Sequence, residues 1–348
     1  MRYKLLGKSG LRVSELCLGT MTFGDDWGWG ASNDESRQIY DAFLEAGGNF
    51  IDTANLYTNG TSEKLLGEFT REHRERIVLA TKYSNALPGS GGDANAGGNH
   101  RKSMMQSIEA SLKRLQTDYI DLYWMHVWDA MTPVEEVMRG FDDLVRQGKI
   151  LYAGISDAPA WWIAKANTIA DLRGWSPFVG LQIEYSLIER TPEHELLPMA
   201  KALGLTVTPW SPLAGGVLSG KYLDKESAAA KEGRYAAPET QAFMPEQNRS
   251  ERIAKEVVSV AKELSVSASQ VALAWLRYQD QPMIPIIGTR KLAQLQDNLA
   301  SLSLNLPDEH LKRLNDASAI EPIFPNSFFA NEFVRNVVYG GMRDSIDA

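Results

Sequence analysis

The 348 residues carry a formal net charge of −8, with 44% apolar and 23% charged side chains. That balance describes a globular chain with a large core, and it argues against general nucleic-acid binding, which needs a basic face. The single cysteine, Cys17, excludes an intramolecular disulfide; a reducing, cytoplasmic setting is expected, with neither a signal peptide nor an apolar run of membrane-spanning length.

Along the chain, YKLLGKSGLRVS (3–14) reads as a β-hairpin around Gly7–Gly10. Eight short apolar runs follow: ELCLG (15–19), NFID (49–52), IVLATK (77–82), YIDLYWMH (119–126), ILYAGIS (150–156), FVGLQIEYS (178–186), LTVTPWS (205–211) and MIPIIG (283–288). Helical patterns lie between most of them. In DESRQIYDAFLEAG (34–47), Ile39, Phe43, Leu44 and Ala46 form an apolar face and Gly47 a stop. SIEASLKRLQT (107–117) and VEEVMRGFDDLVRQGK (134–149) repeat the pattern. The second opens on Thr132 as N-cap and Pro133 as the first helical residue. Residues 84–100, rich in Gly, Asn and Ala, and the polar residues 222–250 read as loops. The first is no phosphate-binding P-loop, because no Gly-Lys-Ser/Thr follows it.

Eight strand–helix alternations predict a parallel sheet with helical crossovers, and in this length a closed (β/α)8 TIM barrel. A doubly wound open sheet is the alternative, but the first run leads into GTMTFG rather than a G-x-G-x-x-G helix start. Neither an internal repeat nor a linker divides the chain. Residues 1–348 are therefore read as one barrel domain, with the hairpin in front, long loops on the substrate side and a C-terminal tail.

Barrel chemistry gathers at the C-terminal ends of the strands. The polar residues there are Thr20, Asp52, Lys82, His126, Ser156 with Asp157, Gln182 and Ser211, and Tyr57 follows just beyond Asp52. A phenol with an ordinary pKa near 10 is a weak acid. A neighbouring ammonium lowers that value, an aspartate can hold the ammonium charged, and a histidine can position a carbonyl oxygen. Such a group protonates a developing alkoxide. None of these side chains supplies a hydride, so an organic cofactor is implied, with nicotinamide the obvious donor. Metal catalysis is not expected: HELLP (194–198) is not H-E-x-x-H, and five scattered histidines with one cysteine lack ligand spacing.

GTMTFG, NFIDTANLY, LATK, DLYWMH, GIS, LQIEYS, TPWSPLAGGVLSGKY and IIGTRKLAQLQDNL, in that order, resemble the aldo-keto reductase family from the hairpin to about residue 300. The likeness is greatest to its bacterial and potassium-channel β-subunit side. The resemblance implies that Tyr57 is the proton donor and acceptor, that Lys82 depresses its pKa, that Asp52 pairs with Lys82 and that His126 orients the carbonyl. It also implies nicotinamide contacts from Thr20, Met21, Ser156, Asp157 and Gln182, a further cofactor contact from Asp52, and Trp210 stacked on the ring. Asp157 stands where the family more often has Asn, and a carboxylate accepts but does not donate. Ser211, Leu213, Gly215, Gly216, Leu218 and Lys221 form a loop suited to the pyrophosphate, and Gly288 leads into a helix N-terminus. Arg290, with Gln294, Asp297 and Asn298 on one helical face, sits where a ribose 2′-phosphate is met, so NADPH is expected over NADH. Trp27, Trp29 and Trp128, beside Tyr57 and His126, line the expected substrate pocket, joined by Phe324, Phe328 and Phe329 from the tail. The substrate is then a small carbonyl or alcohol with an apolar or ring-shaped body. The competing expectation is a redox-sensing subunit that binds NADPH with slow turnover. His126, usually absent from the channel subunits, weighs against it.

Overall fold

A computed structural model of the chain describes residues 1–224, 226–236, 240–241 and 244–346. β1 (Tyr3–Leu5) and β2 (Arg12–Ser14) form the antiparallel hairpin, with Tyr3 opposite Ser14. Each of the eight apolar runs contributes one strand: β3 (Cys17–Gly19), β4 (Phe50–Asp52), β5 (Val78–Tyr83), β6 (Ile120–Met125), β7 (Ile150–Ser156), β8 (Phe178–Glu184), β9 (Thr206–Trp210) and β10 (Ile286–Gly288). They pair in parallel in the order β10-β3-β4-β5-β6-β7-β8-β9. Just before β10, the Ile284 amide donates to the Val207 carbonyl at 2.9 Å and closes the ring onto β9. The fold is a (β/α)8 TIM barrel, with helices filling the crossovers.

The strand period of two decides what fills the barrel. Inward positions form one apolar cluster that includes Cys17, Phe50, Val78, Ala80, Leu122, Trp124, Ile284 and Ile286. Trp124 is the largest of these fully buried side chains, and two glycines make room for it. A Cβ on Gly154 would lie 2.2 Å from the indole, and one on Gly180 would lie 2.9 Å from it. The hairpin plugs the N-terminal end of the barrel. Leu6 and Val13, both fully buried, join the inner cluster. The Gly7 amide donates to Thr206 Oγ1 at 2.7 Å and Lys4 Nζ to the Met283 carbonyl at 2.9 Å. Outward strand positions pack against the helices in a second, larger apolar layer.

Three local readings are corrected. In the helix Asn33–Glu45 the buried face is Ser36, Ile39, Tyr40 and Phe43, while Leu44 and Ala46 are only partly covered. Ser32 caps this helix reciprocally with Glu35. The helix Val134–Arg146 has Pro133 as its N-cap, because that residue's ψ of 138° is extended. Thr132 instead donates its hydroxyl to Asp129 Oδ2 at 2.7 Å. The stretch 222–250 is not all loop: it holds the short helix Ala228–Lys231 and the start of the helix Gln247–Leu264. That helix opens with six polar residues, Gln247 to Arg252, which hide its apolar period. Residues 84–100 form turns up to the start of the helix at Arg101. Among the described residues no single helix is long and apolar enough to cross a membrane.

Candidate active site

The site is built from the next inward step of each strand. Asp52, Lys82, His126, Ser156 and Gln182 each stand two residues beyond an inner position, namely Phe50, Ala80, Trp124, Gly154 and Gly180. Alternation therefore carries five polar side chains into one mouth. Tyr57 reaches the same place by a different route. After β4 a tight turn over Tyr57–Gly60 puts Thr58 at φ 46° and Asn59 at φ 56°, and Thr58 Oγ1 donates to the Phe23 carbonyl at 2.7 Å.

Lys82 is the hub. Its ammonium is fully buried and donates to Asp52 Oδ2, to the Thr53 carbonyl at 2.7 Å and to the Tyr57 hydroxyl at 3.1 Å. Gln182 Nε2 donates to the other oxygen of Asp52 at 3.0 Å, so both carboxylate oxygens are held. Burial works against the Lys82 charge, but Asp52 and the Tyr57 oxygen offset it and leave the ammonium above its ordinary range. The expectation of a depressed phenol is corrected. Burial is the larger effect and raises Tyr57 above its usual value, while Lys82 pulls it down and limits the rise. The phenol is thus protonated at neutral pH.

His126 packs edge-to-face on Tyr57, with ring centroids 6.0 Å apart. Burial and then the Lys82 charge push it well below the ordinary imidazole range, so the ring is neutral. Asn85 Nδ2 lies 2.9 Å from His126 Nδ1. An amide nitrogen only donates, so Nδ1 accepts and Nε2 carries the proton. Asn55 Nδ2 in turn donates to the Asn85 carbonyl at 3.0 Å. Neither asparagine stood out in the sequence. The available signal was position: Asn55 lies between Asp52 and Tyr57, and Asn85 just past the end of β5.

On the other side of the mouth, Ser156 is fully buried, and among the described residues its hydroxyl has no partner in hydrogen-bond geometry, although it lies close enough to Asp157 to lower that carboxyl's pKa. Asp157 adopts a left-handed backbone, φ 43°, and its Oδ1 accepts from the Trp210 indole N–H at 3.1 Å. Burial, only partly offset by Trp210, raises its carboxyl to about 6. Glu184 at the end of β8 is raised to about 7 by burial and by the neighbouring Glu189 and Asp157 charges. Thr20 is fully buried; its hydroxyl is spent inside the fold, donating to the Asp52 carbonyl at 3.0 Å and accepting from Ser62 at 2.9 Å. Met21 beside it is partly buried.

Beyond β9 the loop from Ser211 to Lys221 winds through left-handed conformations at Ser211, Ala214, Gly215 and Gly216. A Cβ on Gly216 would lie 2.5 Å from Lys221 Nζ, so only a glycine here lets the ammonium lie against the loop backbone. Leu218 is fully buried in the outer core, and Leu213 is half-buried. Burial, and then the Arg290 charge, hold Lys221 below its usual value. Two cations thus face one cradle. Arg290 follows the exposed Gly288, donates its guanidinium to the Glu232 carbonyl and receives the Gln294 amide oxygen on its backbone N–H at 2.9 Å. Asp297 is corrected: it is turned to the next helix, accepting from Ser267 at 2.8 Å and Gln270 at 2.7 Å. It braces a joint between helices. Gln294, Asp297 and Asn298 stand at i, i+3 and i+4 of the helix Leu292–Ala300, with Asn298 buried and Gln294 exposed, and Arg290 precedes the helix.

Trp27 and Trp29 pack on each other at 5.7 Å, and the Trp27 indole donates to Asn59 Oδ1 at 3.2 Å, beside the Tyr57 turn. Trp128 packs edge-to-face on Trp161 at 6.0 Å, and its backbone N–H donates to the Asp157 carbonyl at 3.3 Å. The tail phenylalanines Phe324, Phe328 and Phe329 are exposed rather than packed into this wall.

The chain is 38% identical over 332 residues to a norsolorinic acid reductase of Aspergillus flavus, covering 93% of this chain and 82% of the relative. It is 37% identical over 344 residues to an aryl-alcohol dehydrogenase [NADP(+)] of Phanerodontia chrysosporium, covering 95% and 89%. An uncharacterized oxidoreductase of Bacillus subtilis is 39% identical over 328 residues, covering 91% and 95%. All three are oxidoreductases by name, and a binding subunit with slow turnover finds no support among them. Residues 15–319 match the aldo/keto reductase family model, and with the barrel and these relatives the chain belongs to that family of oxidoreductases.

Proposed function

We propose that the protein is an NADPH-dependent reductase of aldehydes and ketones, and in reverse a dehydrogenase of the corresponding alcohols, with Tyr57 as general acid and base. The observation that carries this reading is the Lys82 ammonium, which bonds Asp52 on one side and the Tyr57 hydroxyl on the other. The cofactor, when bound, supplies or accepts the hydride at the carbonyl carbon. Everything else falls to the chain. Tyr57 holds its proton at neutral pH and passes it to the carbonyl oxygen as negative charge develops there. Lys82 favours the phenolate that this leaves, and Asp52 keeps Lys82 charged. His126, neutral with its proton on Nε2, donates to the same carbonyl oxygen and aims it at Tyr57.

The fit to NADPH rests on separate features. Ser156 offers a buried hydroxyl that no partner among the described residues holds in hydrogen-bond geometry, Gln182 and Asp157 flank it, and Trp210 offers a flat apolar face. Gly216 lets the Lys221 ammonium lie against the loop backbone, and Arg290 supplies the planar fork suited to a phosphate. Its N–H groups favour a 2′-phosphate over a bare diol, in keeping with the NADP(+) in the name of one relative. The aromatic residues Trp27, Trp29 and Trp128 favour a ring-bearing substrate, and the names of aryl-alcohol dehydrogenase relatives point the same way.

Steady-state assays with an aromatic aldehyde test the whole proposal. The wild-type kcat/KM is expected to be higher with NADPH than with NADH. Tyr57→Phe is expected to lose at least about 10²-fold in kcat while still binding NADPH. Turnover in Tyr57→Phe equal to wild type removes Tyr57 from the mechanism, and equal use of NADH removes the 2′-phosphate assignment.

A further inference from the structure

The C-terminal segment stands apart from the rest of the molecule in how it handles apolar surface. Over residues 323–346 the chain forms two short helices, Asn326–Phe329 and Glu332–Val338, neither of which buries a single residue. Its anchor is narrow: Asn326 Nδ2 donates to the His194 carbonyl at 2.9 Å, on the loop after β8. Within the segment only Pro325, Asn326, Val334 and Arg343 are even partly covered. Phe324, Phe328, Phe329, Phe333, Val337 and Val338 are exposed by between 53% and 78%. Three of the rings meet, Phe324 with Phe328 at 6.4 Å and Phe328 with Phe329 at 6.5 Å, and Phe333 and Val337 stand one turn apart on the second helix.

Side chains of this kind bury on the order of 150–200 Å² each, so these six alone present roughly 700 Å² of apolar surface. A monomer's largest patch is about 300–600 Å², and a standard interface takes about 800 Å² from each partner. The segment is therefore the right size for one side of a stable contact. Charge narrows the choice of partner. The segment contains Glu332, Asp344, Arg335 and Arg343, two of each sign, within a chain of net charge −8. It lacks the basic excess that an anionic membrane or nucleic acid selects, and it does not repel its own copy.

We propose that residues 323–346 are the surface through which two copies of this chain associate. The contact is isologous: the same apolar segment from each copy packs about a two-fold axis, with the charged residues left at its rim. The strand ladder of the barrel closes without the segment.

Light scattering coupled to size exclusion, on the full chain at about 1–50 μM, reads the outcome. The expected wild-type mass is twice the 38.6 kDa of one chain. Phe328→Asp/Phe333→Asp/Val338→Asp is expected to return it to a single chain. So is a separate truncation after Ala319, with far-UV circular dichroism and NADPH binding unchanged in both as controls of folding. The dimer dissociation constant should rise at least about 100-fold in the triple variant, as for loss of several central apolar contacts. A wild-type mass of one chain at every concentration overturns the proposal. So does an oligomer that survives both changes. Monomeric wild-type protein that floats with neutral phosphatidylcholine vesicles, and loses this with the triple variant, gives the segment to a membrane surface instead.

Discussion

Asp157 and Asn85 are single residues with consequences beyond their own contacts. Burial raises Asp157 from 3.8 to about 6. Below that pH it is neutral and can donate; above it, it is a carboxylate beside the proposed nicotinamide site. A carboxylate there favours the cationic oxidised ring over the neutral reduced one. Affinity for NADP+ relative to NADPH is therefore expected to rise as pH increases through about 6, and to lose most of that rise in Asp157→Asn. Fluorescence titration of both cofactor forms at pH 5 and pH 8 measures it, and an equal slope in wild type and variant contradicts it. Glu184, raised to about 7, titrates close by, so Glu184→Gln is the control for its share. Asn85 acts on His126 through one hydrogen bond. Replacing it by Leu is expected to cost roughly tenfold in kcat/KM for the carbonyl substrate, the worth of one such bond, with NADPH affinity unchanged. Nitrogen NMR of His126 should then show loss of the Nε2–H preference, which a purely structural role for Asn85 would leave intact.

Among the elements, the neighbouring strands β6, β7 and β8 depend on one another through Trp124. Its indole occupies the space where Gly154 and Gly180 have no side chain. Gly154→Ala pushes a methyl into a ring fully enclosed in the barrel, and neither strand can move without breaking its ladder. A loss of about 1–3 kcal/mol is expected, the usual range for overpacking, read as a lower urea midpoint at unchanged slope. The same geometry explains what was legible in these strands. Apolar runs ending in a polar residue are visible in one dimension, and the period of two assigns Asp52, Lys82, His126, Ser156 and Gln182 to one side of the sheet. Asp297 shows the opposite case. The resemblance and helical spacing put it beside Gln294 and Asn298 at the adenosine end of the cofactor, while its hydrogen-bond partners are Ser267 and Gln270, some thirty residues away in the chain. A pairing between helices leaves no periodic mark on either one.

For the molecule as a whole, the barrel separates stability at one end from chemistry at the other. Leu6, in the hairpin plug, is fully buried in the inner cluster, across the barrel from Tyr57 and Lys82. Leu6→Ala is expected to cost about 2–5 kcal/mol by leaving a cavity, measured by urea unfolding, while kcat of the folded enzyme stays as in wild type. A matching fall in kcat would show that the two ends are coupled. The sequence by itself determined the eight strands, their inward parity and hence the group of polar residues at the mouth, because alternation and strand ends are local properties of a chain. It also carried the family, because those blocks recur in order. Only the tertiary structure decided the rest. The balance between burial and Lys82 sets the direction in which the Tyr57 phenol shifts, and that depends on everything packed around it. The proton on His126 is set by Asn85, on a different loop. The exposure of the C-terminal phenylalanines depends on whether the body of the protein offers them a surface, and the closed barrel leaves them none.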